Sequence, residues 1–334
     1  MRSPRPYILL LLASILVVAV AVSAGDMRCY HCGDKITGRY IQYNGHVYHT
    51  HCYEKHIAPR CAVCGEPIIG TWIIYDGKTY HQHCYASKVA LRCSVCGGII
   101  EGEYQYDHWG NAYHAWHADE IAHCSFCGRL LSDPVAGGGR ELHGGRYICS
   151  KCEQNSIRDP EQARALLEEI RKQLVDMGIV IRHEQIGFEL ITPERMAELS
   201  HKPDADNFGL TQYQESEWWG LLTERKFDVF VLEGMPKMHF ILTTAHELMH
   251  VWLYLNAPSG GDQALIEGSC NYAGYLVLGN YDDEMAGYVV RQMEEEPDST
   301  YGGGFRRVRK LVANRGFDFW LQHLQFDPDF PIGY

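Results

Sequence analysis

The residues best placed to do chemistry lie at His246-Glu247-Leu248-Met249-His250. Residues four apart share one face of a helix, so both imidazoles can reach one zinc ion. Glu247 sits beside them, where it can touch a water activated by that metal. A catalytic zinc needs a third protein ligand and one open position. Glu267, in Leu265-Ile266-Glu267-Gly268-Ser269 with sixteen residues between it and His250, is the strongest choice. Asp262 and Glu233 are weaker alternatives. Asn271, one helical turn after Glu267, could hydrogen-bond a ligand histidine. The chemistry expected is hydrolysis, with Glu247 as general base and then proton donor to the leaving amine. Tyr272, Tyr275, His239 and Tyr301 are unranked candidates for stabilising the oxyanion. Cys270 reads as a small buried core thiol.

A second set of ligands fills the first half. Four segments begin at Cys29, Cys61, Cys93 and Cys124, a period of about 32 residues. Each offers Cys-x2-Cys, then 16 to 21 residues, then a second pair of ligands at x2 spacing. The sets are Cys29, Cys32, His49, Cys52; Cys61, Cys64, His81, Cys84; Cys93, Cys96, His114, His117; and Cys124, Cys127, Cys149, Cys152. These suit closed tetrahedral zinc sites, structural rather than catalytic, whose metal supplies folding energy to units too small for a core. His51, His83 and His143 lie close enough to substitute. Twelve of the 13 cysteines are used, leaving Cys270. A disulfide framework is the competing reading, but it would not require histidines recurring at ligand spacing.

The elements that must position these groups follow from patterning. Each cysteine unit alternates apolar and polar residues around a turn such as Tyr43-Asn44-Gly45-His46 or Tyr75-Asp76-Gly77-Lys78, which predicts β-hairpins. After Cys152 the composition changes. Asp159-Pro160 predicts an N-cap, Leu167, Ile170, Leu174 and Met177 recur at helical spacing, and Gly178 ends that helix. Ile186–Ile191 and Phe227–Leu232 predict strands. The second is read as an edge strand able to pair with extended substrate. A long apolar helix is expected over Lys237 to Leu255, a reversal at 256–261, and a helix over Ala264 to Leu278 that brings Glu267 back. The tail to about Leu324 is expected to be helical, interrupted by Pro297 and Gly302-Gly303-Gly304.

The chain has 334 residues, a net charge of −12 and no long basic run, which gives a nucleic-acid partner little electrostatic support. At the N-terminus Arg2 and Arg5 precede an apolar run from Ile8 to Val22, broken by Ser14, and Val22-Ser23-Ala24 offers a small-residue cleavage site. This predicts a signal peptide over 1–24 and export to the periplasm or medium; the alternative is an uncleaved membrane anchor. The predicted organisation is 1–24 signal peptide, 25–152 four zinc modules, and 153–334 a hydrolytic domain. The fold class expected is α+β.

The cysteine units resemble LIM domains, which are pairs of such fingers. Fingers of a LIM domain are usually joined by two residues; the joints here are 8, 8 and 6 residues long. The resemblance implies protein-binding platforms. The second half resembles the LIM-associated zinc peptidases of the "DA-one" type known from plant organ-size control. Val229-Phe230-Val231-Leu232-Glu233-Gly234-Met235-Pro236, the His-Glu-Leu-Met-His-Val-Trp helix, Ile266-Glu267-Gly268 and Tyr301-Gly302-Gly303-Gly304-Phe305-Arg306 carry the likeness, over about residues 155 to 325. It implies a zincin-like, mainly helical gluzincin-type endopeptidase with a small sheet, His246, His250 and Glu267 as ligands and Glu247 as base. One catalytic and about four structural zinc ions are implied, with a protein or peptide substrate and a protein partner for the LIM-like modules. The plant proteins are intracellular and tied to ubiquitin, whereas an export signal is expected in this chain and no ubiquitin-binding segment is read from it; an exported bacterial relative is expected. The alternative function is a LIM-type binding scaffold with an inactive peptidase domain.

Overall fold

A computed structural model describes residues 27–182, 186–200, 207–218 and 221–334, without the side chains of 216–218 and 221–224. The signal peptide expected over 1–24 lies outside these residues. Among the described residues no helix is long and apolar enough to cross a membrane.

Each zinc module is a two-stranded antiparallel hairpin, and a short helix follows the hairpin in every one. In the first module Tyr40–Tyr43 pairs with His46–His49, and in the second Trp72–Tyr75 pairs with Lys78–His81. The hairpin turns require positive φ at both central residues, as Asn44 (48°) with Gly45 (80°) and Asp76 (48°) with Gly77 (70°) supply. The first half of the eight-residue joint after Cys52 continues the helix Thr50–His56. Tyr43 packs against the buried clusters of both the first and the second module, so these two fingers share side chains despite the long joint.

The chain divides into two compact units, 1–117 and 118–334. The first unit holds three modules. The second holds the fourth module together with the helical region, so the compositional change after Cys152 is not where the compact units part. The reason is visible in burial: Cys32, Cys64 and Cys96 are exposed, whereas the equivalent Cys127 is buried.

In the second unit the fourth module is followed by α1 (Pro160–Asp176), β1 (Ile186–Ile191), α2 (Pro193–Ser200), β2 (Gly209–Trp218), β3 (Leu221–Leu232), α3 (Lys237–Asn256), α4 (Gln263–Leu278), α5 (Glu284–Glu295), α6 (Tyr301–Arg315) and α7 (Phe317–Phe326). Helix α1 opens as its sequence predicts: the Asp159 carboxylate accepts from the Gln162 N–H and Pro160 takes the first turn. The sheet order is β2-β3-β1, with β3 antiparallel to β2 and parallel to β1.

This corrects the reading of Phe227–Leu232 as an edge strand. These residues lie in the centre of the sheet. Val229, Phe230, Val231 and Leu232 are all buried, so both faces are covered, which is the pattern of a central strand. The edge beside the predicted metal ligands is β2, which sequence patterning did not find. Its polar run Thr211-Gln212-Tyr213-Gln214-Glu215 carries little apolar alternation.

A second correction concerns the glycine triplet. Gly302, Gly303 and Gly304 do not interrupt the tail; they form the first turns of α6. A Cβ on Gly304 would strike the backbone of Ala264, and one on Gly268 would strike the backbone of Gly304. The glycines let α4 and α6 cross backbone to backbone. Gly304→Ala is therefore expected to destabilise the domain by about 1–3 kcal/mol through overpacking. Urea unfolding would read this as a lower midpoint, and an unchanged midpoint would refute the close crossing.

Candidate metal centre and zinc modules

Helix α3 is buried along most of its length, with Phe240, Ile241, Ala245, Leu248, Met249, Val251 and Trp252 in the core. On its remaining stripe stand His246, Glu247 and His250. Helix α4 runs back along α3 after the 256–262 reversal and brings Glu267 to the same place. Glu267 Oε2 lies 3.2 Å from His246 Nε2 and 3.5 Å from His250 Nε2, and the two Nε2 atoms are 3.2 Å apart. A tetrahedral zinc with bonds near 2.0–2.1 Å has ligand–ligand edges of about 3.3 Å. The three donor atoms already stand at that spacing.

The histidine tautomer is set as well. Asn271 Oδ1 can only accept, so the 2.9 Å contact from His246 Nδ1 places the proton on Nδ1 and leaves Nε2 free to ligate. Asn271 in turn donates to the Tyr301 carbonyl at 3.2 Å. Burial opposes protonation of His246, but the Glu267 carboxylate beside its Nε2 and the Glu247 charge raise its pKa above the ordinary value. Burial would raise the Glu267 carboxyl; the His246 and His250 imidazoles against its Oε2 bring it down to about 2.

The thiol of Cys270 also lies within 4.8 Å of the donor atoms of both histidines. It is fully buried, and burial followed by the Glu267 and Glu247 charges pushes its pKa well above the usual thiol value. A protonated thiol is a poor ligand, so Glu267 is the better third donor. Asp262 serves elsewhere, accepting from the Ala264 N–H as the cap of α4 and pairing with Arg307.

Glu247 is buried and held by β2. The Thr211 hydroxyl donates to its Oε2 at 2.7 Å. Gly209 lies flat against it: a Cβ there would come within 2.5 Å of Glu247 Oε1 and 2.6 Å of Thr243 Cγ2. Gly209→Ala is expected to displace Glu247 while leaving its zinc neighbours in place. Zinc content should stay constant, whereas any Glu247-dependent activity falls at least tenfold; unaltered activity would show that Gly209 sets nothing.

Of the oxyanion candidates, His239 is buried against Phe126, Tyr272 packs on Trp320 and Tyr275 on Phe305. Tyr301 alone of the four faces the site half-exposed; burial and then the Glu267 charge raise its phenol. Tyr254, which sequence reasoning missed, stands one turn beyond His250. Its phenol is raised by burial and then by Cys270, Glu247 and Glu267, and its ring stacks on Tyr213 of β2. The signal was present, because Tyr254 is four residues from His250 on the same helical face.

The zinc modules bring together all four predicted ligand sets. In the first three modules a histidine ring is oriented by a backbone carbonyl: His49 Nε2 donates to Lys35 O, His81 to Pro67 O and His114 to Ile99 O, at 3.2–3.3 Å. This frees each Nδ1 to face the sulfurs, and His49 Nδ1 is 3.4 Å from Cys32 Sγ and 3.9 Å from Cys52 Sγ. Burial would raise the Cys29 thiol, but backbone N–H groups of Cys32, His49 and His31 lower it to about 6. In the fourth module Cys127 and Cys149 sulfurs are 3.6 Å apart, and hydrogen bonds from Cys127, Cys149 and Cys152 drive Cys124 far down, favouring thiolate. These sites hold several zinc ions.

Tandem hairpin fingers with Cys/His ligand sets are the architecture of LIM domains, and residues 29–89 match the LIM domain family. That match spans the first two modules. Over 287 residues the chain is 24% identical to Protein DA1-related 2 of Arabidopsis thaliana, covering 67% of this chain and 54% of that protein. It is 23% identical to Protein DA1 of the same plant, covering 64% and 50%, and 23% identical to LIM domain-containing protein HDR3 of Oryza sativa subsp. japonica, covering 70% and 59%. The chain therefore carries a LIM domain and is homologous to DA1-type, LIM-containing plant proteins, and it spans about half the length of these curated relatives.

Proposed function

We propose that the helical domain is a zinc-dependent peptidase that cleaves protein or peptide substrates, and that the LIM-type modules bind a partner or the substrate. The reading rests on the three donor atoms of His246, His250 and Glu267 at tetrahedral spacing with Glu247 alongside. Zinc, when bound there, would supply a Lewis acid that polarises the scissile carbonyl and acidifies water. Glu247 takes the proton of the attacking water and passes it to the leaving amine. Thr211 and Gly209 hold its carboxylate for that transfer. Tyr254 or Tyr301 donates to the developing oxyanion. The exposed edge of β2 offers backbone groups to an extended substrate chain, the role that sequence patterning assigned to β3.

The binding-scaffold reading differs in one respect: it needs the fingers and not Glu247. Incubation of the full chain with a mixture of extended peptides, followed by mass spectrometry of new termini, separates the two. New termini made by the unaltered chain and not by Glu247→Gln support the peptidase; equal yields from both would end it. The predicted export is a separate proposal. A tagged full-length protein recovered outside the cytoplasm, shortened by about 24 residues, would support it.

A further inference from the structure

The third residue of each Cys-x-x-Cys knuckle occupies equivalent places in the four modules: His31, Val63, Val95 and Phe126. Val63 is 41% exposed, whereas Phe126 is 2% exposed. Phe126 packs on Phe208 at 5.9 Å between ring centroids and on His239 of α3 at 5.1 Å. Arg146, also from the fourth module, lies over the Phe208 ring at 4.8 Å. The Phe208 carbonyl accepts from the Leu232 N–H, pinning its backbone to β3. The next residue is Gly209, flat against Glu247, and Thr211 bonds the Glu247 carboxylate. The chain that leaves the module holds the start of α3: the Ile157 N–H donates to Met235 O, and the Lys237 N–H to Asn155 O.

We propose that the fourth zinc module is a fixed part of the hydrolytic unit, and that Phe126 is a positioning residue. Its knuckle, shaped by the Cys124, Cys127, Cys149 and Cys152 site, clamps Phe208 and so sets β2 against Glu247. The equivalent positions of the first three modules hold His31, Val63 and Val95 rather than a large aromatic carbon ring. The module's metal therefore serves the active site from outside it. The catalytic consequence rests on the peptidase reading; the clamp itself does not.

The test uses the full chain carrying Phe126→Ala, which leaves every ligand intact. Zinc per chain should be unchanged. Hydrogen exchange of the amides in 207–215 and 237–247 should quicken at least tenfold, while the amides of 29–117 keep their rates. Phe126→Leu should restore most of the protection, and Val63→Ala, the same position in the second module, should leave 207–247 untouched. Unchanged exchange in 207–215, or an equal rise with Val63→Ala, would overturn the clamp. Exchange is read without substrate, so a failed peptidase reading would leave this result standing. If peptides are cleaved, Phe126→Ala should also lower turnover at least tenfold, with recovery in Phe126→Leu.

Discussion

Replacing Glu247 by Gln should reduce peptide hydrolysis by a factor of about 10³–10⁴ with the zinc content intact. General acid–base catalysis by one positioned side chain contributes on the order of 10²–10⁴, and Glu247 is asked to act twice, on water and on the leaving amine. A factor of 10³ corresponds to about 4 kcal/mol of barrier. Gln keeps the volume against Gly209 and still accepts from Thr211, so neither the buried packing nor β2 should move. What is lost is the ability to take a proton. Zinc analysis and initial rates on the same preparation check this. Undiminished cleavage would mean that the base lies elsewhere, and lost zinc would mean that Glu247 is structural.

Removing the third ligand should have a different signature. The described residues contain four closed ligand sets and one set on α3 and α4. Glu267→Ala should therefore take the zinc content from about five ions per chain to about four, and abolish hydrolysis with it. Loss of a direct ligand should weaken binding by more than the roughly 10–100-fold typical of an outer partner. Asn271→Ala falls in that smaller range, because it releases only the His246 tautomer and ring orientation. The fold should survive in both, since the core residues of α3 and α4 are untouched. Retention of five zinc ions by Glu267→Ala would transfer the ligand role to Cys270, whose thiol lies beside the same two histidines. Loss of all zinc would mean that the domain does not fold without the ion.

On the peptidase reading proposed above, the two substitutions divide the site into metal-holding and proton-moving parts, and the proposed clamp of Phe126 adds a positioning part from the fourth module. The relatives span LIM-containing plant proteins of about twice the matched length.

Much of this was open to the sequence because local spacing carries the information. A Cys-x-x-Cys turn, an Asn-Gly hairpin or a pair of histidines four apart on a helix is determined within a few residues, by backbone geometry and ligand stereochemistry. Glu267 and Asn271 were accessible for the same reason, since two consecutive helices and a short reversal leave few ways to return to one ion. The tertiary structure alone decided the rest. Strand β2, with Gly209 and Thr211 on Glu247, has no apolar alternation to announce it; its register comes from pairing with β3. Gly302, Gly303 and Gly304 read as a break because glycine weakens an isolated helix, yet they sit inside α6, where Gly304 meets the backbone of Ala264 in α4 too closely for a Cβ. Phe126 occupies a knuckle position that is open to solvent in the second module. Only the approach of Phe208, far along the chain, turns that position into a buried contact, and non-local packing of this kind leaves no periodic trace in the residues that make it.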